Sequence, residues 1–279
     1  MKSPKNLAIL VQSCDSFSDL WNPFFSFLFK NWPDCPYNIY LTTNELVFNH
    51  HKVITINTDT LSTWSERLSI AVELIQEDYV LLLLEDYFIY KPVNTSMIES
   101  LISTASENDS AYFKIACFPP KYDELWPNKP FKNYSNIAEI LPGAKYRVDT
   151  QIALWNKKAL SELILKKESI WQFEINASVR SVSIDKPFLM LIGDKTIKYV
   201  HGPVTYYCTA VSRGKWMRGA IKLCKKEGIS IDISKRKTET LFENIYRSFY
   251  ISLPLFLRKL IDYTSHIFRR NTKKSKYSQ

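Results

Sequence analysis

Residues 79–84, Tyr-Val-Leu-Leu-Leu-Leu, form an unbroken apolar run that ends abruptly on two carboxylates, Glu85 and Asp86. The run is short, lacks polar alternation and is bounded by charge on both sides, which predicts a strand buried on both faces, as a parallel sheet requires. Residues 7–11, 38–42 and 53–56 repeat that pattern as three further strands. The Trp- and Phe-rich segment 17–32 reads as a helix between the first two. Thr63 or Ser65 can cap a helix through Arg67, Leu68, Ile70, Ala71, Leu74 and Ile75, where apolar positions recur at helical spacing. Residues 95–107 read as another helix after Pro92, residues 111–118 as a strand, and residues 157–167 as a helix. This alternation predicts an α/β fold with a mostly parallel, doubly wound sheet flanked by helices. Beyond Pro119 the pattern loosens into Pro, Asn, Tyr and Lys as far as Pro142-Gly143, like a substrate-facing loop.

A chain of 279 residues with 46% hydrophobic content can form one large α/β domain or two small ones. We expect a main domain over residues 1–240 and an amphipathic, basic C-terminal extension over 241–279, with helices broken near Pro254. The five cysteines show no CxxC or zinc-like spacing, which points to reduced thiols in a cytosolic setting and away from sulfur ligation of a metal. The apolar stretch 7–11 is too short for a signal-peptide core, and no segment reaches the length of a membrane span. Much of the net charge of +9 lies near the C-terminus, in Arg258, Lys259, Arg269, Arg270, Lys273, Lys274 and Lys276. Such a tail suits anionic lipid head groups at least as well as nucleic acid, and no nucleic-acid motif accompanies it.

Strand ends in open α/β sheets are where ligands bind. Two adjacent acids there repel each other unless a cation, a ribose or a set of donors compensates their charge, although the pair also fits the opening of a solvated loop. Set beside Ser13-Cys14-Asp15, Trp64-Ser65-Glu66-Arg67, Trp171-Gln172-Phe173-Glu174 and Gly214-Lys215-Trp216, the Glu85-Asp86-Tyr87 motif resembles bacterial GT-A-type glycosyltransferases of surface-polysaccharide clusters, the enzymes of O-antigen, lipooligosaccharide and capsule assembly. These pieces span most of residues 5–235.

The resemblance implies a GT-A-like fold with a nucleotide-sugar donor across the carboxyl ends of the first strands, contacted by Asp15 and Arg67. Asp15 also fits a helix N-cap, and Arg67 a pairing with Glu66 or Glu73 on a solvated face. Many such enzymes carry Asp-x-Asp where this chain has Glu85-Asp86. If a metal binds, hard oxygen ligands suit Mg²⁺ or Mn²⁺, with Asp86 as first ligand, Glu85 on the ribose hydroxyls and His201 as a C-terminal ligand. Arg213 and Lys215, around Gly214, suit the leaving diphosphate; the same segment also reads as a plain helix start. Trp126, Trp171 and Trp216 are the acceptor-stacking candidates.

Transfer with inversion needs a general base on the acceptor hydroxyl. Glu174 is the candidate, with Trp171 and Phe173 beside it to raise its pKa, and its other reading is a helix-start glutamate. Asp149 is the understudy, weakened as a base by nearby Arg147. The expected protein is a cytoplasmic transferase, peripheral at the inner face of the cytoplasmic membrane, moving sugar from a nucleotide-sugar to a saccharide or lipid-linked acceptor. A non-catalytic sugar-nucleotide or polysaccharide-binding protein of the same fold is the alternative.

Overall fold

The acid-tipped run is the strand β4 at the centre of the sheet, and its residues Tyr79 to Leu83 are buried. The computed structural model describes residues 6–253, apart from 61, and residue 257. In chain order the strands are β1 (Leu7–Gln12), β2 (Asn38–Thr43), β3 (Val53–Asn57), β4 (Tyr79–Leu84), β5 (Phe88–Ile89), β6 (Tyr112–Lys114), β7 (Asn128–Pro130), β8 (Ile137–Ile140), β9 (Ala153–Asn156), β10 (Phe188–Leu191), β11 (Tyr206–Tyr207), β12 (Val211–Ser212) and β13 (Lys215–Trp216). The helices are α1 (Trp21–Asn31), α2 (Trp64–Leu74), α3 (Thr95–Glu107), α4 (Lys157–Leu163), α5 (Ile170–Arg180), α6 (Arg218–Glu227) and α7 (Leu241–Ser252).

Among the described residues, nine strands pair in the order β3-β2-β1-β4-β9-β6-β10-β8-β7. β1 runs parallel to β2 and β4, and β2 to β3, while β9 lies antiparallel between β4 and β6. β6 and β10 are parallel, and β8 and β7 close the far edge with antiparallel pairings. The sheet is therefore mixed but mostly parallel, as expected. Alternate residues of β1 face opposite layers. Leu7, Ile9 and Val11 pack toward α1 and α3 residues such as Phe24, Phe27, Ile98 and Leu101. Ala8 and Leu10 pack toward α2, α4 and α5 through Leu68, Leu160 and Phe173. Burial from both sides is why β4 could dispense with polar alternation.

Four local expectations need correction. The helix expected over 17–32 splits into a 3₁₀ turn at Asp15–Leu20 and α1. Pro23 falls in the first turn of α1, and in the interior of a longer helix it would clash with the carbonyl four residues back. The strand expected over 111–118 stops at Lys114, after which Cys117 pairs instead with His201. The helix expected over 157–167 ends at Leu163, whose carbonyl accepts from Arg180 Nε at 3.1 Å and Nη2 at 2.6 Å. The segment 212–216 is no helix start: β12 and β13 form a hairpin whose two central residues, Arg213 and Gly214, have φ of 50° and 73°, the signature of a primed two-residue turn.

Most of the extension over 241–279 lies outside the described residues. Its described part, α7, begins with a capping box in which Thr240 and Glu243 satisfy each other's backbone N–H groups.

Candidate active site

The carboxyl ends of β1, β2, β4, β6 and β10 share one edge of the sheet, and antiparallel β9 enters from that same edge. Two groups of side chains gather there.

The first surrounds the acid pair. Glu85 is buried, and burial together with the neighbouring Asp86 charge lifts its pKa, against the pull of its own backbone amide, Arg236 and Arg67. Asp86 is half-buried and is also raised by desolvation, opposed by the Thr209 hydroxyl, backbone N–H groups including that of Val211, and Arg236. Thr209 Oγ1 donates to Asp86 Oδ2, and Ala210 N donates to the Asp86 carbonyl at 2.9 Å, so the loop 208–211 lies against the tip of β4.

Arg236 acts on both acids, and no motif in the sequence marks it. It sits in an irregular stretch of exposed Lys and Asp with no periodicity to mark it. Its Nε and Nη2 grip the Asp19 carboxylate at 2.6 and 2.7 Å, Nη2 also reaches the Ser16 carbonyl at 3.0 Å, and the guanidinium lies 4.8 Å from the centre of the Phe17 ring. The bidentate pairing raises the Arg236 pKa and anchors residues 229–240 across the start of the 3₁₀ turn.

Asp15 and Arg67 lie at the same edge, engaged with the backbone. Asp15 Oδ1 accepts from Asn44 N at 2.8 Å, and Oδ2 from Glu45 N and Leu46 N at 3.0 and 3.1 Å, so this carboxylate shapes the loop after β2. Arg67 is buried, and it donates from Nε to the Ser13 carbonyl at 3.0 Å and from Nη1 to the Ser62 carbonyl at 2.5 Å. It thereby ties the exit of β1 to the entry of α2, rather than pairing with Glu66, which caps the helix through Thr63.

The second group centres on Lys114, a lysine only 1% exposed at the end of β6. Its Nζ meets Asp149 Oδ2 at 2.5 Å and lies 3.0 Å from the centre of the Trp126 ring. Burial lowers its pKa to about 8, with Asp149 and Glu174 pulling the other way. Asp149 also accepts from Tyr112 Oη at 2.9 Å, Trp126 Nε1 at 3.1 Å and Gln151 N at 3.1 Å. With both oxygens so occupied it orients its neighbours. Arg147 does not join it; that guanidinium donates to the Ile140 and Ser181 carbonyls.

Glu174 stands in the middle of α5, whose start is held by a Ser169–Gln172 capping box. Its Oε1 accepts from Thr150 N at 2.9 Å and Thr150 Oγ1 at 2.7 Å, and Oε2 takes no bond among the described residues. Burial raises its pKa, the Thr150 donors oppose this, and the Asp149 charge adds to it. Gln151 links the two groups: its amide donates to Tyr87 Oη at 3.1 Å and accepts from Tyr206 Oη at 2.7 Å. Beside Lys114 opens a cleft of about 260 Å³ whose lining includes Phe118, Asp123, Trp126, Tyr134 and Lys195.

The remaining candidates are dispersed. Trp126 is buried and lines the cleft, Trp171 is 74% exposed at the start of α5, and Trp216 is fully buried against Phe88 in the core. Trp216 thus has no surface to offer a sugar. Lys215 pairs with Glu243 at 2.5 Å, and Arg213 sits at the hairpin turn. His201 Nε2 accepts from Asp194 N at 3.1 Å and Nδ1 faces the Tyr199 carbonyl at 3.1 Å, so both ring nitrogens serve the loop 193–201. Among the described residues, no three His, Cys, Asp or Glu side chains converge as a metal site. The side chain of His201 is engaged within the loop 193–201, and that of Asp86 by Thr209. The carboxylates of Glu85 and Asp86 still have the hard-oxygen chemistry that suits Mg²⁺ or Mn²⁺, and their raised pKa values mark a charge that a bound cation would compensate.

No family model matches this sequence, and no curated protein matches it either. Among solved structures, residues 1–349 of S. aureus TarS are 10% identical over 71% of this chain and 60% of that chain, with a TM-score of 0.44. The chain covers 36% of a longer S. aureus TarS structure. A UTP-bound UGPase from Acinetobacter baumannii is 9% identical over 89% of this chain and 99% of that chain, at 0.49. A CMP:2-keto-3-deoxy-manno-octonic acid synthetase complexed with CTP is 12% identical over 71% and 92%, at 0.43. With likeness at this level, the α/β class stands on the strand order and the two-sided burial of the sheet.

Proposed function

We propose that this protein is a nucleotide-sugar-dependent glycosyltransferase of the GT-A type. The observation that carries the reading is the meeting, at one sheet edge, of a desolvated carboxylate pair under the charge of Arg236 with a Lys114–Asp149–Glu174 cluster beside an aromatic-lined cleft. The donor lies over β1 and β4, with its ribose and diphosphate toward Glu85 and Asp86 and its anionic charge within reach of Arg236. The acceptor occupies the cleft, where Trp126 and Tyr134 offer ring faces and Asp123 and Lys195 offer polar ends.

A divalent cation on Asp86 would supply neutralising charge for the departing diphosphate. Glu174, with a raised pKa and one unengaged oxygen, takes the acceptor proton as the hydroxyl attacks the anomeric carbon, which makes the reaction inverting. Lys114 and Asp149 hold the ring of Trp126 and the backbone of Gln151, so the acceptor wall and the link to Tyr87 are set before substrate arrives. Sugar, nucleotide base and acceptor are matters of pocket shape.

The test is a thermal-shift screen with UDP-, GDP-, CMP- and dTDP-sugars, with and without Mn²⁺, followed by a transfer assay with the stabilising donor. A ligand that binds only the folded state raises Tm, so at least one donor is expected to do so, and Asp86→Asn to abolish both the Mn²⁺-dependent shift and transfer. Near-parental turnover by Asp86→Asn would remove this carboxylate from the donor site.

A further inference from the structure

Helix α7 presents one apolar face to solvent. Leu241, Phe242, Ile245, Tyr246 and Phe249 are 63%, 77%, 64%, 51% and 59% exposed. At 100° per residue these five positions fall within an arc of about 140°. The opposite side of the helix holds it to the rest of the fold. Glu243 pairs with Lys215 on β13, and Arg247 pairs with Glu239, which also accepts from Arg218 N at the start of α6 at 2.8 Å. The anchored polar side therefore leaves the aromatic side turned outward. A contiguous apolar patch of this kind, rimmed by polar residues, marks a surface that another phase or partner covers.

Charge identifies the occupant. The sequence that follows α7 carries Arg258, Lys259, Arg269, Arg270, Lys273, Lys274 and Lys276 against the single acid Asp262. An apolar, aromatic helix face next to a polybasic stretch has the chemistry of an interfacial anchor, the rings entering the acyl boundary while the cations meet anionic head groups. No described helix is long and apolar enough to cross a membrane, so binding is to the surface. We propose that the Leu241–Phe249 face of α7 docks on an anionic lipid bilayer. The inference is independent of the transferase reading and is measured without a transfer assay.

The experiment sediments the full chain with phosphatidylcholine vesicles, with and without phosphatidylglycerol, at low and high salt. Binding is expected only where phosphatidylglycerol is present, and to weaken at high salt. Phe242→Ser with Phe249→Ser is expected to weaken it about tenfold or more, since two aromatic anchors are lost. Both side chains are exposed, so the melting curve of this variant should match the parent. Ile245→Glu, which puts an anion in the middle of the face, should have the same effect. The proposal is overturned if the full chain does not sediment, if either variant binds as well as the parent, or if the face joins two copies of the chain in a dimer that the same substitutions dissolve and vesicles do not.

Discussion

Glu85 is a carboxyl taken out of water beside a second carboxyl, and its behaviour with pH follows from that. Its pKa rises from about 4.5 to about 8 because burial and the Asp86 charge both disfavour the anion. A group that holds its proton more tightly in the folded than in the unfolded chain contributes stability that is complete below about 4.5 and is lost as pH climbs through about 8. Glu85→Gln removes this loss, so Tm of the variant should exceed the parent at pH 8 and converge on it near pH 5, as thermal melts across that range would show. Identical pH profiles would mean that the Glu85 charge is already compensated. Glu174 makes a different prediction. Glu174→Gln keeps the Thr150 bonds to a neutral oxygen but removes the proposed base, so kcat should drop by roughly 10²- to 10⁴-fold with donor KM nearly unchanged. A loss confined to KM would make Glu174 a binding residue.

Elements at this edge are held by caps and turns whose chemistry is local. The β12–β13 hairpin places Arg213 at a φ of 50°, a left-handed conformation that a β-carbon disfavours. Asn tolerates it and precedes Gly in the preferred two-residue turn. Arg213→Asn should therefore stabilise the fold by about 0.5–1 kcal/mol, visible as a Tm increase of roughly 1–3 °C. The same variant tests whether this cation serves the donor: unchanged donor affinity would leave Arg213 a turn residue. The stretch 229–240 is held more strongly, because Arg236 clamps Asp19 with the carboxylate side chain only 1% exposed. Arg236→Ala strands that charge, a kind of loss that costs about 3–5 kcal/mol in buried pairs. Tm should fall by roughly 5 °C or more, and Asp19→Asn in the same chain should recover part of it while donor binding stays weak. Full recovery of donor affinity in the double variant would make Arg236 a purely structural residue.

At the scale of the whole molecule, the sheet turns scattered motifs into one edge. Parallel pairing sends the ends of β1 and β4 the same way, and β9, antiparallel to both β4 and β6, aligns the end of β6 with them and brings in Asp149, Thr150 and Gln151. That is how Asp86 and Glu174, 88 positions apart in the chain, come to act on shared neighbours such as Tyr87, whose hydroxyl burial holds well above its ordinary pKa with both acids contributing. The proposed donor site and the cleft accordingly share this edge. A donor that raises Tm should do so in Trp126→Leu too, while transfer to any acceptor is impaired, as the thermal-shift and transfer assays together would show; loss of the donor shift in that variant would place the cleft inside the donor site.

The sequence by itself determined the α/β class, the strands β1 to β4 and the span of α2 and α3, because uninterrupted apolar runs and helical periodicity act over a few neighbouring positions. It also marked Glu85 and Asp86 correctly as the tip of a central strand. Only the tertiary structure decided which charges meet. Arg236 clamps Asp19 from more than two hundred residues away and bears on the charge of Glu85 and Asp86, Lys114 is buried against Asp149, and Asp15, Arg67 and His201 are engaged by backbone groups. It also decided that Trp216 belongs to the core and Trp171 to the surface. Periodicity cannot reveal such pairings, since an isolated Lys or Arg looks the same in sequence whether it is solvated or buried against a carboxylate from another element. The desolvation that sets its pKa and its use arises only when distant segments pack.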